Sequence, residues 1–330
     1  SCRIIWRKNS PSTNDSRILN QSNRRKDSPV SPKIAVVGDY MIDIDDFYTS
    51  IRSSPENPNI PIVSASKFQS SRAGGTGAVV KMIEGMYGFG IALPIAERIK
   101  PRCIKTRIYV DKKQLFRIDD DMTFDISLSA IEIIIKEIPI DCEIIIVSDY
   151  GKGVVTNDLW QQLLTLGKKI IVDPSRLRQP QWYQGAWGIV PNRVEAGGYL
   201  QTIQDAINRC KQLQNHFPNV CLKIGSDGMI ANGQHIPAEK IDCIDVCGAG
   251  DMVIAAIAVA TLKDLPWSDA CKYANRMAAK KCQQMGATPV EERFEDYRRA
   301  EIHKSSNGPP PDSLSEIPQS QSPPSGEPKP

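Results

Sequence analysis

Residues 142–153 read CEIIIVSDYGKG. The run Ile144–Val147 is β-branched throughout, with no polar residue at alternate positions. Such a run suits a strand buried on both faces, because a half-exposed strand alternates apolar with polar side chains. It stops at Ser148-Asp149 and a glycine-bearing loop. KKIIVDPS (168–175) and AWGIVPNRVE (186–195) follow the same plan, an apolar strand closed by a charged or proline-bearing loop. KIAVVGD (33–39) precedes them and NVCLKIGSDGM (219–229) follows. Buried strands alternating with helix-like segments predict an α/β fold with a doubly wound, mostly parallel sheet. Ligands of such sheets bind beyond the C-terminal strand ends. Asp39, Asp149, Asp173 and Asn192 all fall there.

PIVSASKF (61–68) is a further strand, and GGTGAVVKMIEGMYGFG (74–90) opens with glycines and continues as a helix. KTRIYVDKKQLFRIDDD (105–121) predicts two strands around a polar turn at Asp111–Lys113. From Gly248 to about Gln284 the period is helical, broken near Leu265–Pro266. That stretch opens inside DVCGAGDMVIAAI (245–257). A helix start presents unpaired N–H groups and the positive end of a dipole, a seat for phosphate. Asp251 at that point is either a charge stabilising the helix N-terminus or a base held beside a phosphoryl group.

The net charge of +3 over 330 residues is too small to point to nucleic acid or a membrane surface. No apolar run approaches the roughly 20 residues that span a bilayer. His216, His235 and His303 are scattered and suggest neither a zinc site nor a histidine triad. The nine cysteines form no C-x-x-C and read as reduced thiols of an intracellular, cytoplasmic protein, with Cys243 and Cys247 the nearest to a redox pair. Residues 1–32 are basic and Ser-rich, and residues 304–330 are Pro/Ser-rich. Both read as disordered tails around a domain at 33–303. A basic, acid-poor start is also compatible with organelle targeting.

In order along the chain stand VVGDYMID, IPIVSASKFQSSRAGG, KTRIYVDKKQLFRIDDD, VSDYGKG, VDPS, VPNRVE, KIGSDGM, DVCGAGD and ANRMAAKKCQQMGAT. Together they resemble the ribokinase-like (PfkB) carbohydrate kinases, and among these the heptose 7-phosphate kinases of ADP-heptose synthesis. The resemblance runs from about Lys33 to Val290. It implies a β lid, with strands at about 60–68 and 105–119, over a doubly wound sheet. It implies ATP and Mg²⁺ as cofactors, a sugar or sugar phosphate as substrate, and a homodimer paired through the lid strands. It makes Asp251 the base, with the amides of Cys247, Gly248, Ala249 and Gly250 as an anion hole. Asn192, Arg193, Val194 and Glu195 form the N-x-x-E element, Glu195 organising magnesium in part through water. Ser226, Gly228, Asn275 and Gly286 fall on the nucleotide side. Asp39, Asp43, Gly74, Gly75, Lys105, Arg107, Arg117, Asp149 and Lys152 fall on the sugar side. Three lid cations suit a substrate that already carries phosphate. Plainer roles remain open: a capping box for Asn192 and Glu195, an ordinary turn at 225–229, and a solvated strand face for the lid cations.

Four departures stand out. Ala78 occupies the place of a sugar-binding Asn. Only FGIALPIAERIKPRCI (89–104) stands where a whole strand–helix unit is expected, so that unit reads as missing. Ser175 replaces the lysine of D-P-K, which removes a cation. Cys247 replaces the usual Thr before G-A-G-D. No H-x-G-H motif is present, so an adenylyltransferase activity is not expected. A kinase for a ribose- or fructose-like sugar, or a degenerate kinase serving as a binding component, are the alternatives.

Overall fold

A computed structural model describes residues 32–88, 92–95, 103–110 and 113–306. The two tails, up to Ser31 and from Asn307, and the turn residues 111–112 lie outside the described residues. Strand β1 (Ile34–Gly38) is buried at every position. Its side chains divide between two cores: Ile34 and Val36 join one, Ala35 and Val37 the other. That division is the period of two of a strand covered on both faces.

After β1 the chain enters a second layer through β2 (Tyr40–Ser53) and β3 (Pro61–Gly75), then forms α1 (Thr76–Tyr87) and β4 (Ala92–Ile95). β5 (Cys103–Val110) and β6 (Lys113–Asp120) return to the second layer. Next come α2 (Leu128–Glu137), β7 (Ile144–Ser148), α3 (Asn157–Thr165), β8 (Lys169–Asp173), the two-residue β9 (Gly188–Ile189) and α4 (Ile203–Leu213). β10 (Asn219–Lys223), β11 (Met229–Ala231) and β12 (Gln234–Ile236) precede α5 (Ala249–Leu262), α6 (Trp267–Cys282) and α7 (Phe294–Ser306).

The large sheet has the order β12-β11-β10-β9-β8-β7-β1-β4. It is parallel from β4 to β10, with antiparallel β11 and β12 at one edge. One core takes α1, α5, α6 and Phe294 at the start of α7; the other takes α2, α3 and α4. Ser127, Thr156 and Thr202 cap α2, α3 and α4 with their hydroxyls, and Thr202 with Asp205 forms a full capping box. Helix α5 is buried without a break from Met252 to Thr261, as suits a helix lying between the sheet and α6. No helix among the described residues is long and apolar enough to cross a membrane.

Two expectations change. The strand of the unit that reads as missing is present as β4, paired parallel to β1 from Ile34↔Ala92 to Val37↔Ile95. Seven residues, 96–102, separate β4 from β5 and lie outside the described residues. The lid is also larger than two stretches. It is a four-stranded sheet, β3-β2-β5-β6, in which β2 is central. The acidic run DIDD hides β2 in the sequence, since Asp is a poor strand former. The register explains it: Asp43 lies beside Lys105 and Asp45 beside Arg107, so one lid face carries interleaved opposite charges.

One residue, Asp39, separates β1 from β2. Its carboxylate is 1% exposed. Oδ2 accepts from the amides of Tyr150 (2.9 Å) and Lys152 (3.0 Å), and Oδ1 from Val154 (3.2 Å). It therefore folds the loop after β7 back onto the end of β1. Asp39→Ala should strand three buried donors at about 1–3 kcal/mol each. Urea denaturation should show a loss of at least about 3 kcal/mol, and amide exchange at Tyr150–Val154 should quicken.

Candidate functional site

The C-terminal ends of β1, β7, β8, β9 and β10 meet the start of α5. Gly248 caps α5 in the left-handed conformation, φ 78°. A Cβ there would lie 2.9 Å from Ala287 Cβ, so both backbone and space require glycine. Asp245 holds the elbow. Its Oδ1 accepts from Cys247 N (2.9 Å) and its Oδ2 from Gly286 N (2.7 Å). Ala249 N donates to Val246 O at 3.1 Å. The amides of Gly248 and Gly250 are left without an acceptor among the described residues. The anion seat is thus narrower than the four amides expected, since those of Cys247 and Ala249 are already engaged.

Asp251 follows in the first turn of α5. Tyr150 donates its hydroxyl to Asp251 Oδ1 at 2.6 Å. Burial, with Asp173 and Asp43 adding to it, pushes the Asp251 carboxyl up to about 6, against the Tyr150 hydrogen bond and Lys223. Lys105 Nζ stands 4.8 Å over the Tyr150 ring. Burial lowers the Lys105 pKa, and it has no ion pair among the described residues. Arg107 donates to Asp43 at 3.0 Å and lies 3.9 Å from Asp45. Gly74 makes room for Asp43: a Cβ there would sit 2.8 Å from Oδ2.

On the other side of Asp251 lies a cavity of about 590 Å³ lined by Asn192, Lys223, Ser226, Gly228, Gly250 and Asn275, with Val253, Ala278 and Ile241 supplying apolar wall. Lys223 ends β10 with its ammonium 2.5 Å from Asp173 Oδ1 and 3.8 Å from Glu195 Oε2. Burial opposes the charge, but Asp173 and Glu195 outweigh it and hold Lys223 above the usual lysine range. Burial, with Asp173 near, raises Glu195, and Lys223 opposes. Asn192 and Glu195 form the capping-box pattern around a single turn. Asn192 Oδ1 accepts from the amides of Val194 and Glu195 (2.9 Å each), and Glu195 Oε2 from Asn192 N (2.7 Å).

Several residues named from the sequence lie elsewhere. Asp39 and Asp149 turn into the protein. Asp149 accepts from Arg178 (2.7 Å), Tyr183 (2.7 Å) and Gly151 N (2.7 Å), and burial raises its pKa. Lys152 is paired with Asp121. Arg117 is exposed and forked onto Asp119, at 2.6 and 2.8 Å. Arg193 bonds Leu200 O and Asp227, and Val194 is 70% exposed. Gly75 caps α1, and Gly286 packs under Arg72, whose Nη2 would lie 2.6 Å from a Cβ there. Ala78 is buried in α1. Ser175 is buried, with its Oγ accepting from Leu177 N. Cys243 lines the cavity beside Cys282, not Cys247. Sequence inspection missed Tyr150, Lys223 and Asp245. Only Lys223 left a signal, a lone cation closing the apolar run of β10.

Among the described residues no three of His, Cys, Asp and Glu are grouped to hold a metal.

Residues 145–293 match the model described as pfkB family carbohydrate kinase. The bifunctional protein HldE of Sulfurimonas denitrificans is 28% identical over 320 positions, covering 84% of this chain and 66% of that protein. HldE of Helicobacter pylori strain G27 is 30% identical over 300 positions, covering 77% and 64%. The chain thus spans just under two thirds of these curated relatives. Among solved structures, Arabidopsis thaliana ribokinase complexed with ribose and ATP aligns with a TM-score of 0.58 at 16% identity, over 79% of this chain and 97% of that one. Phosphofructokinase-2 from Escherichia coli in complex with potassium aligns with a TM-score of 0.63 at 12% identity, over 84% and 100%. Family match, relatives and fold agree: residues 145–293 are similar to the pfkB family carbohydrate kinases, and the fold is ribokinase-like.

Proposed function

We propose that the protein phosphorylates a sugar hydroxyl from ATP, and that its substrate is heptose 7-phosphate taken at C1. The observation that carries this is Asp251: a carboxylate tuned to about 6, placed between the lid and the cavity, beside the open amides of Gly248 and Gly250. With ATP phosphates against the Gly248 and Gly250 amides, the adenosine occupies the cavity beside Ser226, Gly228 and Asn275. Asp251 takes the proton of the sugar hydroxyl. The hydroxyl oxygen bonds to the γ-phosphorus while the bond from that phosphorus to the β,γ-bridging oxygen breaks, and ADP leaves with the electron pair. A bound Mg²⁺ would neutralise phosphate charge, held by Glu195 through water.

On the sugar side, Asp43 accepts hydroxyls from a position fixed by Arg107, and Lys105 favours a substrate that carries phosphate. The relatives are named bifunctional protein HldE, and the choice of heptose 7-phosphate rests on the resemblance of the sequence motifs to the heptose 7-phosphate kinases. Ile118 and Phe116, 53% and 42% exposed on the outward lid face, support a homodimer through the lid strands.

ADP release measured across phosphorylated and unphosphorylated sugars should be greatest with heptose 7-phosphate; turnover with none of them, despite ATP binding, would sink the catalytic proposal. Asp251→Asn should lower turnover by about 10²–10⁴-fold while ATP binding persists. For the wild type, turnover should rise with pH through a midpoint near 6, as Asp251 loses its proton. Tyr150→Phe removes a hydrogen bond that favours the carboxylate, so this limb should move to higher pH. Sedimentation should give a dimer, and Ile118→Lys a monomer.

A further inference from the structure

Lys223 takes no part in the step above, yet it is the most committed cation in the site. Burying an ammonium costs several kcal/mol unless partners repay it, and it closes an otherwise apolar strand. Neutralising Asp173 and Glu195 would be reason enough for a positive charge there. It does not account for the geometry. An ammonium has three donors. Asp173 takes one at 2.5 Å, and Glu195 at 3.8 Å is beyond hydrogen-bond distance. Lys223 also lines the cavity, and its Nζ lies 3.6 Å from the point a Cβ of Gly250 would occupy. An anion seated on the open Gly250 amide therefore lies beside a charged donor with capacity to spare.

A second observation concerns what is absent next door. The loop after β8 carries Asp173-Pro174-Ser175, and Ser175 is turned inward onto Leu177 N at 3.2 Å. No positive charge comes from that loop at residue 175. Lys223, from the neighbouring strand end, brings one to the same Asp173.

We infer that Lys223 is the residue of this chain that binds the polyphosphate of the nucleotide, delivering from β10 the positive charge that Ser175 cannot. This rests on the kinase proposal for the site. The ammonium, steered by Asp173, meets the phosphate oxygens beyond the α5 amides, and it offsets the charge that builds on the departing ADP.

The test compares Lys223→Met, Lys223→Arg and the double variant Asp173→Asn/Lys223→Met, which removes the partner carboxylate's charge as well. Calorimetric affinities for ATP, ADP and adenosine are measured on each, with ADP release on the active sugar. Lys223→Met should weaken ATP about tenfold or more, a loss of at least about 1.4 kcal/mol, and leave adenosine within about twofold. Lys223→Arg should restore part of the ATP affinity. If Lys223→Met fails to fold, the double variant carries the same comparison. Equal losses for ATP and adenosine, or no loss for either, overturn the inference while an active wild type leaves the kinase proposal standing. A wild type that binds ATP without turnover sinks the catalytic proposal, and the ATP-to-adenosine comparison still decides the role of Lys223. A wild type that binds no nucleotide overturns both.

Discussion

Three amides on one carboxylate organise this site. Asp39 holds the backbone of Tyr150, Lys152 and Val154, and Tyr150 in turn holds Asp251. The end of β1 and the start of α5, distant in sequence, are thereby joined through one loop. A buried carboxylate accepting three N–H bonds is well satisfied without a counter-ion. Asp39 therefore needs no cation, while Lys105 lies over the Tyr150 ring and Lys223 is held by Asp173. The loop between them also orients the Asp251 carboxylate through the Tyr150 hydroxyl, which the proposed proton transfer requires.

The charges on the nucleotide side form a mutually dependent set. Asp173, Glu195 and Asp251 gather around Lys223: Asp173 and Asp251 raise the proton affinity of Glu195, Asp173 raises that of Asp251, and the ammonium lowers both. The balance leaves Asp251 near 6, ionised at neutral pH yet basic enough to accept a proton. On the lid the opposite pattern holds: Arg107 with Asp43 and Arg117 with Asp119 are closed pairs. Of the three lid cations named from the sequence, Lys105 alone has no ion pair among the described residues, and it lies over the Tyr150 ring.

The fold was legible because continuous apolar runs ending in polar loops have few alternatives. The site was legible where backbone geometry dictates sequence, as at Gly248 and Gly74. Elsewhere one dimension was insufficient. A polar residue after a strand looks the same whether it faces the cleft, as Asp173 does, or turns inward, as Asp39 and Asp149 do. β2 was hidden because two of its acidic residues are held by arginines from β3 and β5, Arg72 on Asp45 and Arg107 on Asp43, partners distant in sequence. Tyr150 was passed over because nothing local marks a tyrosine that reaches residue 251. β4 was missed because four residues of strand, paired to β1 alone, carry too little pattern to separate from a loop.

The junction at Asp39 has a mechanical side. β1 passes into β2 through this single residue, β3 passes into α1 directly at Gly75–Thr76, and Thr76 N is bonded to Asp39 O at 3.1 Å. Two of the chain crossings into the small sheet are therefore riveted together at one spot. A joint of that kind permits swivelling and resists sliding. Asp43 and Lys105 lie side by side in register a few residues out along adjacent strands, and the joint is the same residue that accepts from the Tyr150 amide.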